Sequence, residues 1–142
     1  KEGAEAMKEL WTKDEAEYHG HYYDFPKVRV FPKPVQKPHP PVFLGSAAAN
    51  VFKRVVTYGD GWMPVRATPD SVRAGRAALD ELADAAGRDS KSIQILIYGA
   101  SSRDEIDQME EAGADMATVR LPSTAPGEAI PGLEKLAEEM LG

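Results

Sequence analysis

From residue 42 to the end of the chain, short apolar runs alternate with amphipathic stretches, and this alternation constrains the fold more than any other feature. Four apolar runs have the length and composition of buried strands, at 42–45, 61–65, 93–98 and 116–121. Each is followed by a stretch with apolar residues at helical spacing, at 48–58, 69–86, 103–112 and 131–141. Consecutive strand–helix units form a parallel sheet. We therefore expect an α/β fold built from four parallel strand–helix units.

Two architectures agree with this alternation. One is an open, doubly wound sheet, and the other is part of a TIM-type (β/α)8 barrel. A complete barrel needs about 250 residues, whereas this chain has 142. Only half of a barrel fits, and the periodicity alone does not choose between the two architectures.

Several predicted helices carry start and stop signals. Thr68 is placed to cap a helix whose first residue is Pro69. Ser102 and Glu105 have the spacing of a capping box at the start of the next helix. Gly59 follows the first predicted helix, and we expect it to end that helix in the left-handed conformation.

The first 41 residues have a different character. Residues 1–12 show helical spacing without a start signal, which indicates the end of a longer helix. The aromatic-rich stretch 18–25 predicts a short strand or hairpin. Six prolines lie between residues 26 and 41, and this density opposes both helix and sheet pairing. Interleaved valines and a phenylalanine favour a packed excursion over a mobile linker. We therefore divide the chain into a first part, 1–41, with a helix end and a proline-rich segment, and a strand–helix part, 42–142.

Composition excludes several classes of protein. The net charge is −6 and the pI is near 5.1, whereas a surface that binds nucleic acid needs a basic excess. No apolar run approaches the roughly 20 residues of a membrane span. Cysteine is absent, which excludes disulfides and thiolate metal sites and agrees with a cytoplasmic location. The chain starts at Lys1 rather than at methionine, which leaves room for sequence upstream.

The turn after the first predicted strand is a candidate anion site. Gly45 closes the strand, Ser46 follows, and a helix begins shortly afterwards. Backbone N–H groups and the positive end of a helix dipole at such a turn suit a phosphate. The alternative is a plain strand-to-helix turn in which Ser46 is the helix N-cap.

A second candidate is the run Gly59-Asp60-Gly61-Trp62-Met63-Pro64, at the next strand. In one interpretation Trp62 and its neighbours face a ligand at the end of the strand. In the other, Gly59 is a helix stop and Trp62 is a core residue. The local sequence leaves both open.

Taken together and in order, these segments resemble one family, the luciferase-like monooxygenases. The residues that carry the resemblance are Leu10-Trp11-Thr12, Gly20-His21-Tyr22-Tyr23-Asp24-Phe25, the run from Pro32 to Pro41, Gly45-Ser46 and Gly59-Asp60-Gly61-Trp62. More narrowly, the pattern is similar to the branch that uses the deazaflavin F420. The match is dense over residues 7–64 and thinner, but consistent, further on.

The resemblance implies a fold and a size. Members of the family are TIM-type (β/α)8 barrels of roughly twice this length. The matched region is their C-terminal half, so the four strands correspond to barrel strands 5–8 and residues 18–41 to an insertion before strand 5. On this basis strands 1–4, with the residues expected to perform the chemistry, lie outside this chain, and no catalytic residue is assigned.

The resemblance also implies a site. Family members bind FMN or F420 at the C-terminal mouth of the barrel, with the phosphate held by the turn after strand 5. That role transfers to Gly45, Ser46 and Ala47, although this chain has Ser46 where a second glycine is common. Trp62 and Met63 are implied to lie at the mouth, near a small-molecule substrate.

Two hypotheses for function follow. In the first, the chain is a fragment of a flavin- or F420-dependent oxidoreductase that transfers hydride, or activates oxygen, on a small organic substrate. In the second, it is a catalytically inactive, stand-alone half-barrel that acts as a folding or assembly unit. Four parallel strands leave open edges and an uncovered apolar face. We therefore expect either a homodimer or a complementary N-terminal half as the partner.

Other polar residues give weaker signals. His19 and His21 are two residues apart in a predicted strand, but no further ligands support a metal site, and none is predicted. Arg120 ends the last predicted strand. Because late loops of barrels often hold phosphate, it is a minor candidate for an anion contact.

Overall fold

The structure is a computed structural model that describes residues 1–121 and 125–141. Its helices are α1 (Glu2–Thr12), α2 (Val51–Tyr58), α3 (Pro69–Ala85), α4 (Arg103–Glu111) and α5 (Pro126–Leu141). Its strands are β1 (Ala16–His19), β2 (Asp24–Val28), β3 (Phe43–Gly45), β4 (Gly61–Met63), β5 (Gln94–Ala100) and β6 (Met116–Val119). None of the helices in this described part is both long and apolar enough to cross a bilayer.

The last four strands form a parallel sheet in the order β3-β4-β5-β6. The register pairs Leu44 with Trp62, Trp62 with Ile95, and Ile97 with Ala117. The order along the sheet is the order along the chain, without the reversal that defines a doubly wound sheet. The predicted α/β class with a parallel sheet is confirmed.

The core lies on one face of this sheet. Alternate strand residues, such as Trp62, Ile95 and Ile97, join one buried cluster with apolar residues of α2, α3 and α4. The intervening strand residues point to the opposite face, which α2, α3 and α4 do not cover. Tyr98 is 66% exposed there and Met116 is 46% exposed. Helices on a single face are typical of a barrel wall, in which the other face points inward.

An aspartate–arginine clip closes the end of the sheet where β4 begins. The Asp60 carboxylate accepts a hydrogen bond from Val42 N at 2.8 Å, just before β3. The Arg88 guanidinium lies 4.0 Å from the other carboxylate oxygen of Asp60. Its Nη1 donates to the backbone carbonyls that end α2, those of Val55, Val56 and Gly59, at 3.2, 3.1 and 2.8 Å. The clip therefore adds a charged donor to the carbonyls at the end of α2, of which that of Val55 also accepts a hydrogen bond from Gly59 N at 2.9 Å.

The same device recurs where β6 begins. Asp115 accepts a hydrogen bond from Ile95 N at 2.7 Å and is paired with Arg76. Arg76 also donates to the carbonyl of Gly113 at 2.9 Å and to that of Ile93 at 2.9 Å. In both units an aspartate before one strand reaches the neighbouring strand, and an arginine from elsewhere closes the helix end. The repeat explains how short strands are held in register.

The first 41 residues pack against this unit through α1. The Lys8 ammonium donates to Tyr58 O at 3.0 Å, at the end of α2. Lys33 from the proline-rich run donates to the carbonyls of Leu10, at 2.8 Å, and of Lys13. The Trp11 ring lies 6.2 Å from the His39 ring, centroid to centroid. These contacts agree with a packed proline-rich segment.

The antiparallel hairpin of β1 and β2 is held to α1 by two glutamates. Glu2 accepts hydrogen bonds from His21 N and Tyr22 N, each at 2.7 Å, and these bonds lower its pKa. Glu5 accepts a hydrogen bond from the Tyr18 hydroxyl at 2.9 Å, which lowers the pKa of Glu5. Desolvation and this same bond raise the pKa of Tyr18 to about 12.

These pKa shifts predict how the hairpin responds to acid. Because the folded state lowers the pKa of Glu2 and Glu5, the stabilisation is complete above their ordinary value of 4.5 and is lost as the pH falls through the lowered values. We expect the side-chain carboxyl NMR signals of Glu2 and Glu5 to be constant near neutral pH and to titrate only below about pH 4.5. A transition centred near neutral pH would contradict this.

Four local sequence predictions are wrong. Pro26 lies inside β2, which is allowed because β2 pairs on one edge only. Helix α2 begins at Val51 rather than at residue 48, because a turn intervenes. Gly59 has φ −89°, so it ends α2 in an extended conformation. Helix α5 begins at Pro126 rather than at Pro131, which lies inside it, because Pro126 occupies the first helical position that suits a proline.

Candidate functional site

The turn between β3 and α2 presents unpaired backbone donors. The Ser46 hydroxyl accepts a hydrogen bond from Ala48 N at 3.0 Å, and Val51 N donates to Ala48 O at 2.9 Å. The N–H groups of Ala47, Ala49 and Asn50 find no acceptor among the described residues. Ser46 is therefore not the helix N-cap; that position is Asn50, whose side chain makes no capping bond.

Trp62 lies beneath this turn, on the face of the sheet that the helices cover. Its side chain is buried, at 6% exposure, and its Nε1–H donates to Ser46 O at 3.1 Å. Its ring meets that of Phe52 edge-on, with centroids 4.8 Å apart. A Cβ at Gly75 in α3 would lie 2.2 Å from the indole. The structure thus agrees with the core-tryptophan alternative, and contact between Trp62 and a substrate stays a prediction.

The Met63 side chain points to the opposite face of the sheet. It follows Trp62 in β4, so its side chain lies on the uncovered face of the sheet. Its Cε is 3.3 Å from where a Cβ of Gly45 would lie, and the two residues are paired in the register. Met63 and Gly45 therefore share the face that points away from the helices, at the carboxyl ends of their strands.

A cavity of about 320 Å³ opens beside the turn. It is bounded by Ser46 and Ala47 on one side and by the loop after β4 on the other. Arg66 in that loop is exposed and is the one charged residue among the described lining residues. Its backbone has φ +56°, a conformation that is costly for a residue with a side chain. Arg66 is not among the residues predicted from the sequence, although it is a basic residue between a strand end and the Thr68 cap.

A second cavity, of about 420 Å³, lies at the ends of β5 and β6. Gly99, Ser101 and Arg120 line it. The Ser101 hydroxyl and N–H donate to Glu105 at 2.6 and 2.8 Å, and these bonds lower the pKa of Glu105. This arrangement ties the start of α4 to the strand end. A contact between Arg120 and an anion stays a prediction.

The two histidines of the hairpin are used locally. The His19 Nδ1 atom lies 2.6 Å from Asp24 Oδ1 across the hairpin. The His21 ring packs edge-on against the Tyr22 ring, 4.6 Å between centroids. Residues 1–121 and 125–141 contain no cluster of three or more potential metal-ligating side chains.

Comparison with known proteins decides the family. The profile of luciferase-like monooxygenases matches residues 1–139, which is nearly the whole chain. The chain belongs to the luciferase-like monooxygenase family. The resemblance carried by the Gly45-Ser46 turn and the Gly59–Trp62 run is thereby confirmed.

Relatives of this luciferase-like chain include an uncharacterized protein of Mycobacterium tuberculosis, 32% identical over 99% of this chain and 49% of its own length. An FMNH2-dependent dimethylsulfone monooxygenase of Pseudomonas putida is 38% identical over 51% of this chain and 22% of its own length. The coenzyme F420-dependent tetrahydromethanopterin reductase of Methanopyrus kandleri shares the fold, with a TM-score of 0.72 at 13% identity, over 96% of this chain and 60% of that one.

The luciferase-like chain therefore spans about half the length of the M. tuberculosis relative that it matches. Its similarity to the M. kandleri enzyme extends over almost all of its own length but only part of that protein. The relatives named by a cofactor divide between FMNH2 and F420, so a flavin-type cofactor is the property that they share.

Proposed function

We propose that this chain is the C-terminal half of a (β/α)8 oxidoreductase barrel, contributing strands 5–8. The single observation that carries the proposal is the sheet itself: four parallel strands in chain order with α2, α3 and α4 packed on one face. The uncovered face and the outer edges of β3 and β6 are where the rest of a barrel would pair. The half-length match to a longer relative supports the same conclusion.

We propose that the turn formed by Gly45, Ser46 and Ala47 holds the phosphate of FMN or F420. The residues present fit such a group. The turn offers unpaired N–H donors, Arg66 supplies a positive charge across the cavity, and no carboxylate is among its described lining residues. Donors of this kind, with a helix start beside them, bind phosphate esters.

The cofactor, when bound, supplies hydride transfer or oxygen activation. The part played by this chain is binding and orientation. The turn fixes one end of the cofactor, and Met63, on the uncovered face, forms an apolar wall at the mouth for a small organic substrate. We place the groups that move protons in the N-terminal half, since the described residues lining the 320 Å³ cavity include no histidine or carboxylate.

A binding experiment on the full-length polypeptide tests the site. FMN and riboflavin differ only by the phosphate, whereas F420 differs from its phosphate-free deazaflavin parent by the phosphate together with the side chain esterified to it. We expect the phosphorylated member of at least one pair to bind about 10- to 100-fold more tightly, the effect of one or two charge-assisted hydrogen bonds. Equal affinity for the two members of both pairs, measured by fluorescence titration, would contradict the proposed phosphate site.

The alternative, a stand-alone half-barrel that self-associates, has one observation in its favour. Tyr98 and Met116 are exposed on the open face of the sheet, and Leu133 is exposed on α5. Such a surface favours either a second copy or a separate N-terminal half. Light scattering of the isolated 142-residue chain discriminates: self-completion predicts a dimer, and a stable monomer at every concentration would contradict the half-barrel itself.

A further inference from the structure

We propose that Trp62 is a positioning residue for the cofactor phosphate, acting through the peptide bond between Ser46 and Ala47. The inference rests on the proposed phosphate site and adds the residue that orients it. The indole Nε1–H donates to Ser46 O at 3.1 Å, from a side chain that is only 6% exposed. A buried donor that reaches back from the next strand to the turn has no other acceptor in the described structure.

Because the peptide bond is planar, this hydrogen bond also sets the direction of the Ala47 N–H group. In a trans peptide the C=O and N–H groups point in opposite directions. The only cis bonds in the described chain precede Pro32 and Pro38, so the Ser46–Ala47 bond is trans. Because its carbonyl points at the indole, the Ala47 N–H points away from the indole, where no described residue accepts it. Trp62 thus keeps the Ala47 N–H group pointing away from the core.

The indole of Trp62 is packed between residues of α2 and α3. It packs against Phe52, the second residue of α2, so Trp62 touches both the start of the turn and the helix that follows it. On its other side α3 carries Gly75, where any Cβ would lie 2.2 Å from the ring. The glycine lets α3 lie against the indole face. The contacts with Phe52 and Gly75 restrict the indole on the sides that do not line the 320 Å³ cavity, which favours one orientation of the turn before a ligand arrives.

The consequence is specific for the ligand class. Loss of the indole N–H releases the Ser46 carbonyl, so the Ala47 N–H is no longer aimed at one place. A phosphate ester depends on that donor, whereas the rest of a flavin or deazaflavin does not. Removal of the donor is therefore expected to weaken binding of the phosphorylated cofactor and to leave binding of its phosphate-free parent unchanged.

The test removes the donor while keeping the ring. Trp62→Phe and, as a closer isostere, Trp62 replaced by 3-benzothienylalanine are prepared in the full-length polypeptide, with Trp11→Phe as the matched control for loss of an indole. Binding of FMN, riboflavin, F420 and its phosphate-free parent is measured by titration. Both Trp62 variants should bind the phosphorylated member about tenfold more weakly, the loss expected for one hydrogen bond, with the other member unaltered.

The outcomes separate the inference from the proposed function. If the unaltered protein prefers the phosphorylated member and the benzothienylalanine variant keeps the full preference, the role of Trp62 is overturned while the phosphate site stands. If both members of a pair weaken equally in that variant, Trp62 supports the fold rather than the turn, and the inference fails. If the unaltered protein shows no preference in either pair, the phosphate site and the inference fail together.

Discussion

Replacing Gly61 with valine is expected to lower the free energy of unfolding by roughly 3 kcal/mol or more, at the upper end for overpacking a core. A Cβ at this position would lie 2.3 Å from the Phe43 ring and 2.7 Å from Gln94 O. The ring can adjust, but the carbonyl belongs to the backbone of the adjoining strand segment. Relief would therefore require the sheet to separate where β4 pairs with its neighbours.

The matched control is Gly132→Ala in α5, where an added Cβ meets no described atom within 4 Å. Alanine within a helix is favoured over glycine by about 0.5–1 kcal/mol, so this variant should be neutral or slightly more stable. Urea unfolding of the full-length polypeptide measures both variants. Similar midpoints for Gly61→Val and the control would show that β4 is not packed as the structure has it.

The second large effect is expected from Arg88. Replacement by alanine removes the donor for three carbonyl oxygens at the end of α2 and a positive charge 4.0 Å from Asp60. A charged donor serving part-buried carbonyls contributes about 1.5–3 kcal/mol, and we expect a loss of that size. Arg88→Lys should recover only part of it, since an ammonium cannot reproduce the geometry of the guanidinium.

Arg73→Ala is the comparison for this effect. Arg73 makes one ion pair, with Asp70 at 2.8 Å, and both side chains are largely exposed. Pairs of this kind are worth about 0–1 kcal/mol, so its removal should change the unfolding midpoint little. If the two arginine variants are equally stable, the clip at the start of β4 does not contribute to stability.

The order and type of the elements could be predicted from the sequence because their signals are local. Apolar runs gave the strands of the parallel sheet, and Thr68 caps α3 as expected, with Ser71 returning the bond. Ser102 caps α4, but Glu105 bonds to Ser101 rather than closing the box on Ser102. The boundaries of elements were predicted less well where packing decides them. Helix α2, for example, starts after a turn that has no characteristic residue type.

The site was harder to predict, because its residues act across the chain. The run from Gly59 to Trp62 carries the family resemblance, yet each residue in it has a structural task. Glycine at 59 and 61 permits close approach of neighbouring atoms, and Asp60 belongs to a clip. Trp62 lies on the helix-covered face of the sheet and bonds to Ser46, and its contact with a substrate stays a prediction. The burial of Trp62, and the cavity that Arg66 lines together with Ser46 and Ala47, depend on packing that periodicity does not encode.

We propose that this chain closes a barrel with upstream sequence and holds the cofactor phosphate at the turn between β3 and α2. A crystal structure of the full-length polypeptide with its bound cofactor tests this most directly. We predict upstream strands paired with the outer edges of β3 and β6, and a phosphate oxygen within hydrogen-bond distance of Ala47 N. A sheet that stays open at those edges, or a phosphate held away from residues 45–47, would contradict the account.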